Sequence, residues 1–151
     1  MKRVIRKEAL VPAPLDEVWR AWTTTEGVTA FFAPRADVQL ALGGRYELYF
    51  TPDGPPGERG TEGCKVMLFD PEKRTLAVTW NAPPHLPLAR KERTRVDVRL
   101  DADGDATRVV LHHTGFVGPE AEAAYEYFRG AWDVVLSRLV ERFETGKAVA
   151  W

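Results

Sequence analysis

Reactive side chains are scarce in this 151-residue chain: three histidines (His85, His112, His113), one cysteine (Cys64) and one serine (Ser137). In the run from Thr107 to Thr114, strand alternation sets His113 beside Val109 and Leu111 on an apolar face. His112 then turns to solvent, and His85 falls in a loop. Three roles are open to His113. It could donate to a ligand in an internal cavity, act as the base of a cyclase or hydrolase there, or bond a neighbouring strand or the chain near Gly115. The last follows because an unpaired buried polar group costs about 1–3 kcal/mol and such groups usually find internal partners. No Asp or Glu lies at short spacing from a histidine, so no catalytic dyad is assigned and the catalytic set stays empty.

The other chemical motifs fail on spacing. Ser137 sits mid-helix among Leu136, Arg138 and Leu139, without the G-x-S-x-G elbow of a nucleophilic serine. Cys64 has no spaced histidine partner and reads as a small buried hydrophobe. The run Asp101-Ala-Asp103-Gly104-Asp105 has Ala106 and His112 where a calcium loop needs Gly and Glu, so it reads as a hairpin tip. Gly43-Gly44 runs on into strand rather than a helix N-terminus, so it is no phosphate loop. Neither a metal nor a cofactor is expected.

The aromatic residues offer more. Phe32, Tyr46, Trp80, Phe128 and Trp132 fall at inward strand and helix positions, and with His113 they form the candidate ligand-binding set. For any one of them core packing is the commoner role. Together they point to a cleft, because a helix laid over a sheet leaves space that large rings do not fill. Tyr46 is the expected polar handle, with Glu62 a weaker candidate.

These residues need elements to position them. A β-branched run from Arg3 to Val11 predicts a first strand, ended by Pro12-Ala-Pro14. Asp16 and Glu17 suit the positive end of a short helix through Val18, Trp19 and Trp22, and a second helix is expected from Thr25 to Phe32. Strands follow over 37–41 and 45–50, joined at Gly43-Gly44. Further strands are expected over 61–69, 75–81, 93–101 and 107–114, with loops at 51–60 and 82–92. The strand over 93–101 has Thr94, Val96, Val98 and Leu100 on one face and charged residues on the other, where cross-strand ion pairs are expected. After Gly118-Pro119-Glu120 the period changes: Phe128, Ala131, Trp132, Val135, Leu136, Leu139, Val140 and Phe143 recur at helical steps up to Thr145-Gly146. Only the dry sheet face is large enough to bury that stripe. The fold class is therefore α+β: a curved antiparallel sheet of about six or seven strands wrapped around a long C-terminal helix, with two short helices after the first strand.

This order and its residues resemble the helix-grip (START-like, birch-pollen-allergen-like, SRPBCC) superfamily. More closely, the chain is similar to the branch named after the C-terminal domain of the activator of the ninety-kilodalton heat-shock chaperone's ATPase. The resemblance is carried by Ala13-Pro14, Val18-Trp19, Ala21-Trp22-Thr23, Phe31-Phe32-Ala33-Pro34, Gly43-Gly44-Arg45-Tyr46, Asp70-Pro71, Leu76 and Thr79-Trp80. Thr107, Leu111, His113 and Gly115-Phe116 continue it, followed by a helix with Trp132 and Leu139. What it implies is a cup with an apolar pocket between sheet and helix; relatives carry lipids, cyclise polyketides or have no assigned ligand.

Composition narrows the field. Hydrophobic residues at 44% and charged ones at 28% fit one globular domain over residues 1–151. A net charge of −1 gives no field to attract nucleic acid. The N-terminal run MKRVIRKEAL lacks a signal-peptide core, and no stretch reaches about 18 consecutive apolar residues, so no membrane association and a cytoplasmic location are expected. Single Ser, Asn (Asn81) and Gln (Gln39) residues, with Arg outnumbering Lys, fit a heat-adapted protein. Trp151 is expected to fold back or to enter a homodimer contact. The leading functional expectation is a non-enzymatic binding domain for a small apolar molecule, with a link to stress implied only by the resemblance. A chaperone-linked interaction module and an enzyme of the pocket stand beside it.

Overall fold

The inward rows of Val, Leu and Ile anticipated in the sequence become cross-strand ladders in a computed structural model that describes residues 3–151. Strands β1 (Ile5–Val11), β2 (Arg35–Val38), β3 (Tyr46–Tyr49), β4 (Val66–Asp70), β5 (Thr75–Trp80), β6 (Thr94–Asp103) and β7 (Ala106–Thr114) accompany helices α1 (Leu15–Thr23), α2 (Thr25–Thr29), α3 (Pro87–Arg90) and α4 (Ala121–Thr145). Five strands form an antiparallel sheet in the order β1-β7-β6-β5-β4, and β2 pairs with β3. The two sheets are stitched together at Arg45↔Lys65 and Tyr49↔Gly60. There the Tyr46 amide donates to Cys64 O (2.9 Å) and the Thr61 amide to Leu48 O (2.8 Å). Seven strands thus make one curved surface.

Register sets the inner face. Ile5 lies opposite His113, and His113 opposite Val96; Leu111 lies opposite Val98, and Val109 opposite Leu100. All seven side chains are buried, and adjacent strands present them as rows of packed pairs. Against these rows α4 buries Phe128, Trp132, Leu136 and Leu139, spaced by four, four and three residues. Lys7, on the inner side of β1, reaches α4 and pairs with Asp133 at 3.0 Å. α1 buries Val18, Trp19, Ala21 and Trp22 in the same core, where Trp22 lies 5.8 Å from Phe32.

Several boundaries differ from the sequence expectation. The strand expected over 37–41 runs over Arg35–Val38, because residues 39–44 close the turn through Gly44 N–H to Ala41 O. Residues 61–64 are a turn rather than strand, closed by Cys64 N–H to Thr61 O, and a bulge between Val66 and Leu68 shifts the β4 register. α2 ends at Thr29 instead of Phe32. The expected loop over 82–92 contains α3, whose first free amides, those of Leu88 and Ala89, donate to the Glu120 carboxylate. On the outer face, Arg95–Asp97 and Arg99–Asp101 are same-strand pairs, and Arg108 bridges to Glu8 across strands.

The chain after α4 turns back at Gly146, whose φ of 73° suits the left-handed cap that ends many helices. Val149 N–H then donates to Ala30 O (2.8 Å). Arg138 donates to Phe31 O and Ala150 O and lies 4.0 Å from the Trp151 ring centroid. Trp151 therefore folds back on its own chain, though it stays 57% exposed.

Candidate functional site: an aromatic cavity under the long helix

Helix spacing puts Tyr127, Phe128, Ala131, Trp132 and Val135 on one flank of α4. Below them, Trp80 closes β5, and Phe32 follows the α2 turn. These residues, with both ends of the loop between Phe50 and Thr61 and with Asn81 to Pro84, surround a cavity of about 290 Å³. Its deep wall is a cluster of rings: Phe32 lies 5.7 Å from Trp80 and 5.8 Å from Trp132, and the two tryptophans are 5.6 Å apart. Phe128 stacks on Trp132 at 6.2 Å. At the mouth, Phe50 and Tyr127 are each more than 40% exposed.

Polar groups occupy one side. Arg90 reaches from α3 and donates to Ala82 O, Gly57 O and Gly60 O at 2.6–2.8 Å, with Glu62 at 3.5 Å. Its charge is thereby spent on fixing the loops of the wall. Glu62 accepts from the amides of Arg59 and Gly60 and so holds the same loop from below. Asn81 is 5% exposed and donates to Gly60 O at 3.2 Å. Thr61 is engaged on both sides, accepting from Leu48 N–H and donating to Tyr46 O.

Of the six residues expected to line a pocket, Phe32, Trp80, Phe128 and Trp132 meet in this wall, whereas Tyr46 and His113 do not. Tyr46 is directed away because its phenol donates to Trp22 O at 2.7 Å; burial pushes its pKa far up, and the ring packs 6.4 Å behind Trp80. His113 stands behind Trp132. The Trp132 indole N–H donates to His113 Nδ1 (3.0 Å), so the ring proton sits on Nε2 and points to Thr94 Oγ1 (2.7 Å), which in turn donates to Trp80 O (3.3 Å). Burial holds the His113 pKa at about 3, so the ring is neutral at ordinary pH. This chain of bonds connects the two tryptophans of the wall, and His113 acts as a positioning residue for both.

Cys64 is buried, and burial raises its thiol pKa to about 11, a poor setting for a nucleophile. Among the described residues no cluster of three metal-ligating side chains occurs. No helix among them is long and apolar enough to cross a membrane. The residues that sequence reasoning passed over are Arg90, Asn81, Phe50 and Tyr127. The signal available was that Asn81, the single asparagine, directly follows an inward tryptophan. Arg90 and Tyr127 carry no comparable mark.

The family described as Activator of Hsp90 ATPase homolog 1-like protein matches residues 12–144. The chain belongs to that family. No curated protein matches the chain in sequence. Among solved structures, protein MLL2253 from Mesorhizobium loti is similar at 22% identity and a TM-score of 0.75, over 95% of this chain and 98% of that one. The Aha1 dimer from Colwellia psychrerythraea is similar at 20% identity and 0.71, over 95% and 98%. DynU16, a protein of the dynemicin biosynthetic locus, matches at 22% and 0.71, over 99% of this chain but only 50% of its own. Likeness at these identities establishes the helix-grip fold that the family shares.

Proposed function

We propose that this Activator of Hsp90 ATPase homolog 1-like domain is a non-enzymatic receptor for a small apolar molecule, held in the cavity under α4. The observation that carries the reading is the ring wall of Phe32, Trp80, Phe128 and Trp132 around about 290 Å³ of unfilled space. Protein interiors otherwise pack to the density of organic crystals, so an apolar space of this size is a binding site by default. The arrangement offers a surface and a few fixed dipoles. His113 is spent on the wall, and Arg90 on the loops.

The test is native mass spectrometry with a thermal-shift screen of lipids and aromatic metabolites. A ligand at a hundred times its Kd adds about 2.7 kcal/mol, which raises the midpoint of a domain this size by about 5–10 °C. If no apolar compound shifts the midpoint, the reading fails.

The family match favours a second reading, a module that contacts a heat-shock chaperone. It predicts capture of the protein by the chaperone and altered ATP turnover. Loss of both in a matched system ends it.

A further inference from the structure

Among the described residues, Trp22 Nε1 is the one side-chain nitrogen or oxygen both sealed from solvent and unpartnered. Asn81 Oδ1 also receives no hydrogen bond from the chain: the Asn81 amide nitrogen donates to Gly60 O, and nothing donates in return. Since that oxygen is not sealed, it touches open space, and the open space that Asn81 lines is the aromatic cavity. A side chain that is 95% buried normally has its acceptors filled. The bond to Gly60 fixes the amide plane, so the acceptor is pre-aimed and needs no ordering when a donor arrives.

Size and charge set the rest of the occupant. A dry cavity of about 150 Å³ holds one benzene, and this one, at about 290 Å³, has room for two fused rings. Arg90 is taken up by three carbonyls and Glu62, and the remaining charged side chains of the wall, Glu58 and Arg59, are of opposite sign, with Arg59 Nε donating to Gly54 O at 2.8 Å. No net charge is left for an ionic ligand to meet. We infer that the cavity takes a neutral, flat, two-ring aromatic molecule bearing one hydroxyl or N–H, which donates to Asn81 Oδ1 while its rings lie against Trp80 and Trp132. This rests on the receptor reading above and adds to it the chemical class of the ligand.

The experiment is a set of titrations of the whole chain with naphthalene, 2-naphthol and 2-naphthoate, followed by the indole ¹H–¹⁵N resonances of Trp80 and Trp132. One neutral hydrogen bond is worth about threefold to tenfold in affinity, so 2-naphthol is expected to bind tighter than naphthalene by that factor, and tighter than the anion. In Asn81→Leu the preference should collapse to within about twofold while naphthalene binding persists. Should that variant fail to fold, the ligand series on the native chain decides alone. Equal binding of naphthalene and 2-naphthol overturns the Asn81 assignment and leaves the receptor standing. Tightest binding by 2-naphthoate also overturns it, in favour of Arg59. If none of the three binds, the receptor reading falls and this inference with it.

Discussion

Trp132 has two sides that differ in how polarity is handled. On one, His113 is fully buried and both ring nitrogens are engaged, by Trp132 itself and by Thr94. Across the ring, the cavity is bordered by Asn81, which has one bond and a vacant acceptor. Both are buried polar residues beside the same aromatic cluster. The difference teaches how to read them: a polar group whose valences are all met by the chain specifies the fold, and one left half-met specifies a visitor.

Experiments that break or sharpen this contrast differ in expected size. The largest effect belongs to His113→Ala, which strands the Trp132 indole N–H and opens a hole behind the wall. The expected loss is about 3–5 kcal/mol, read by urea unfolding, or a midpoint lower by about 6–20 °C. A loss under about 1 kcal/mol would erase the distinction drawn between the two sides.

Next comes acid. Because burial lowers the folded pKa of His113 to about 3 against an ordinary 6.5, the stability tied to its neutral form is complete above pH 6.5 and drains away as pH falls toward 3. The slope is up to about 1.4 kcal/mol per pH unit. In His113→Gln that component should vanish, so the difference between the two unfolding curves from pH 6.5 to 4.5 isolates it from the carboxylates.

Overpacking then separates the filled half of α4 from the open half. Leu136→Trp, in the filled part, should cost about 1–3 kcal/mol, whereas Ala131→Phe, beside the cavity, should change stability by less than about 1 kcal/mol and abolish ligand-induced thermal shifts. The smallest effect is expected on the outer face, where Asp97→Asn removes a half-exposed pair with Arg95 and should shift stability by about 0.2–1 kcal/mol, less in high salt.

Much of this was legible in the residues. The alternation of Val96, Val98 and Leu100 and the stripe from Phe128 to Leu139 follow the strand and helix periods, so face and burial could be read directly. Four of the six expected wall residues meet for that reason. Tyr46 and His113 were harder, because periodicity says that a side chain faces inward and cannot say which neighbour it finds there. Tyr46 found the Trp22 carbonyl, and His113 an indole 19 positions along the chain. Arg90 and α3 were missed for a related reason: a four-residue helix has no period to detect, and the carbonyls of Gly57 and Gly60 from one loop and of Ala82 from another converge on Arg90 only once the chain is folded.

The pairing of β1 with β7 joins residues about 100 positions apart, from Val11 with Thr107 to Ile5 with His113, while β4, β5, β6 and β7 each neighbour the next in sequence. Local hairpins can therefore form early, and the pairing of Ile5 with His113 must wait for a long loop to close. Until then Leu111, Val98 and the future ring wall lack their cover, and α4, the last helix made, has no finished surface to grip. The step that completes the cup is thus also the slow one, and the interval before it is when this protein is most open to aggregation.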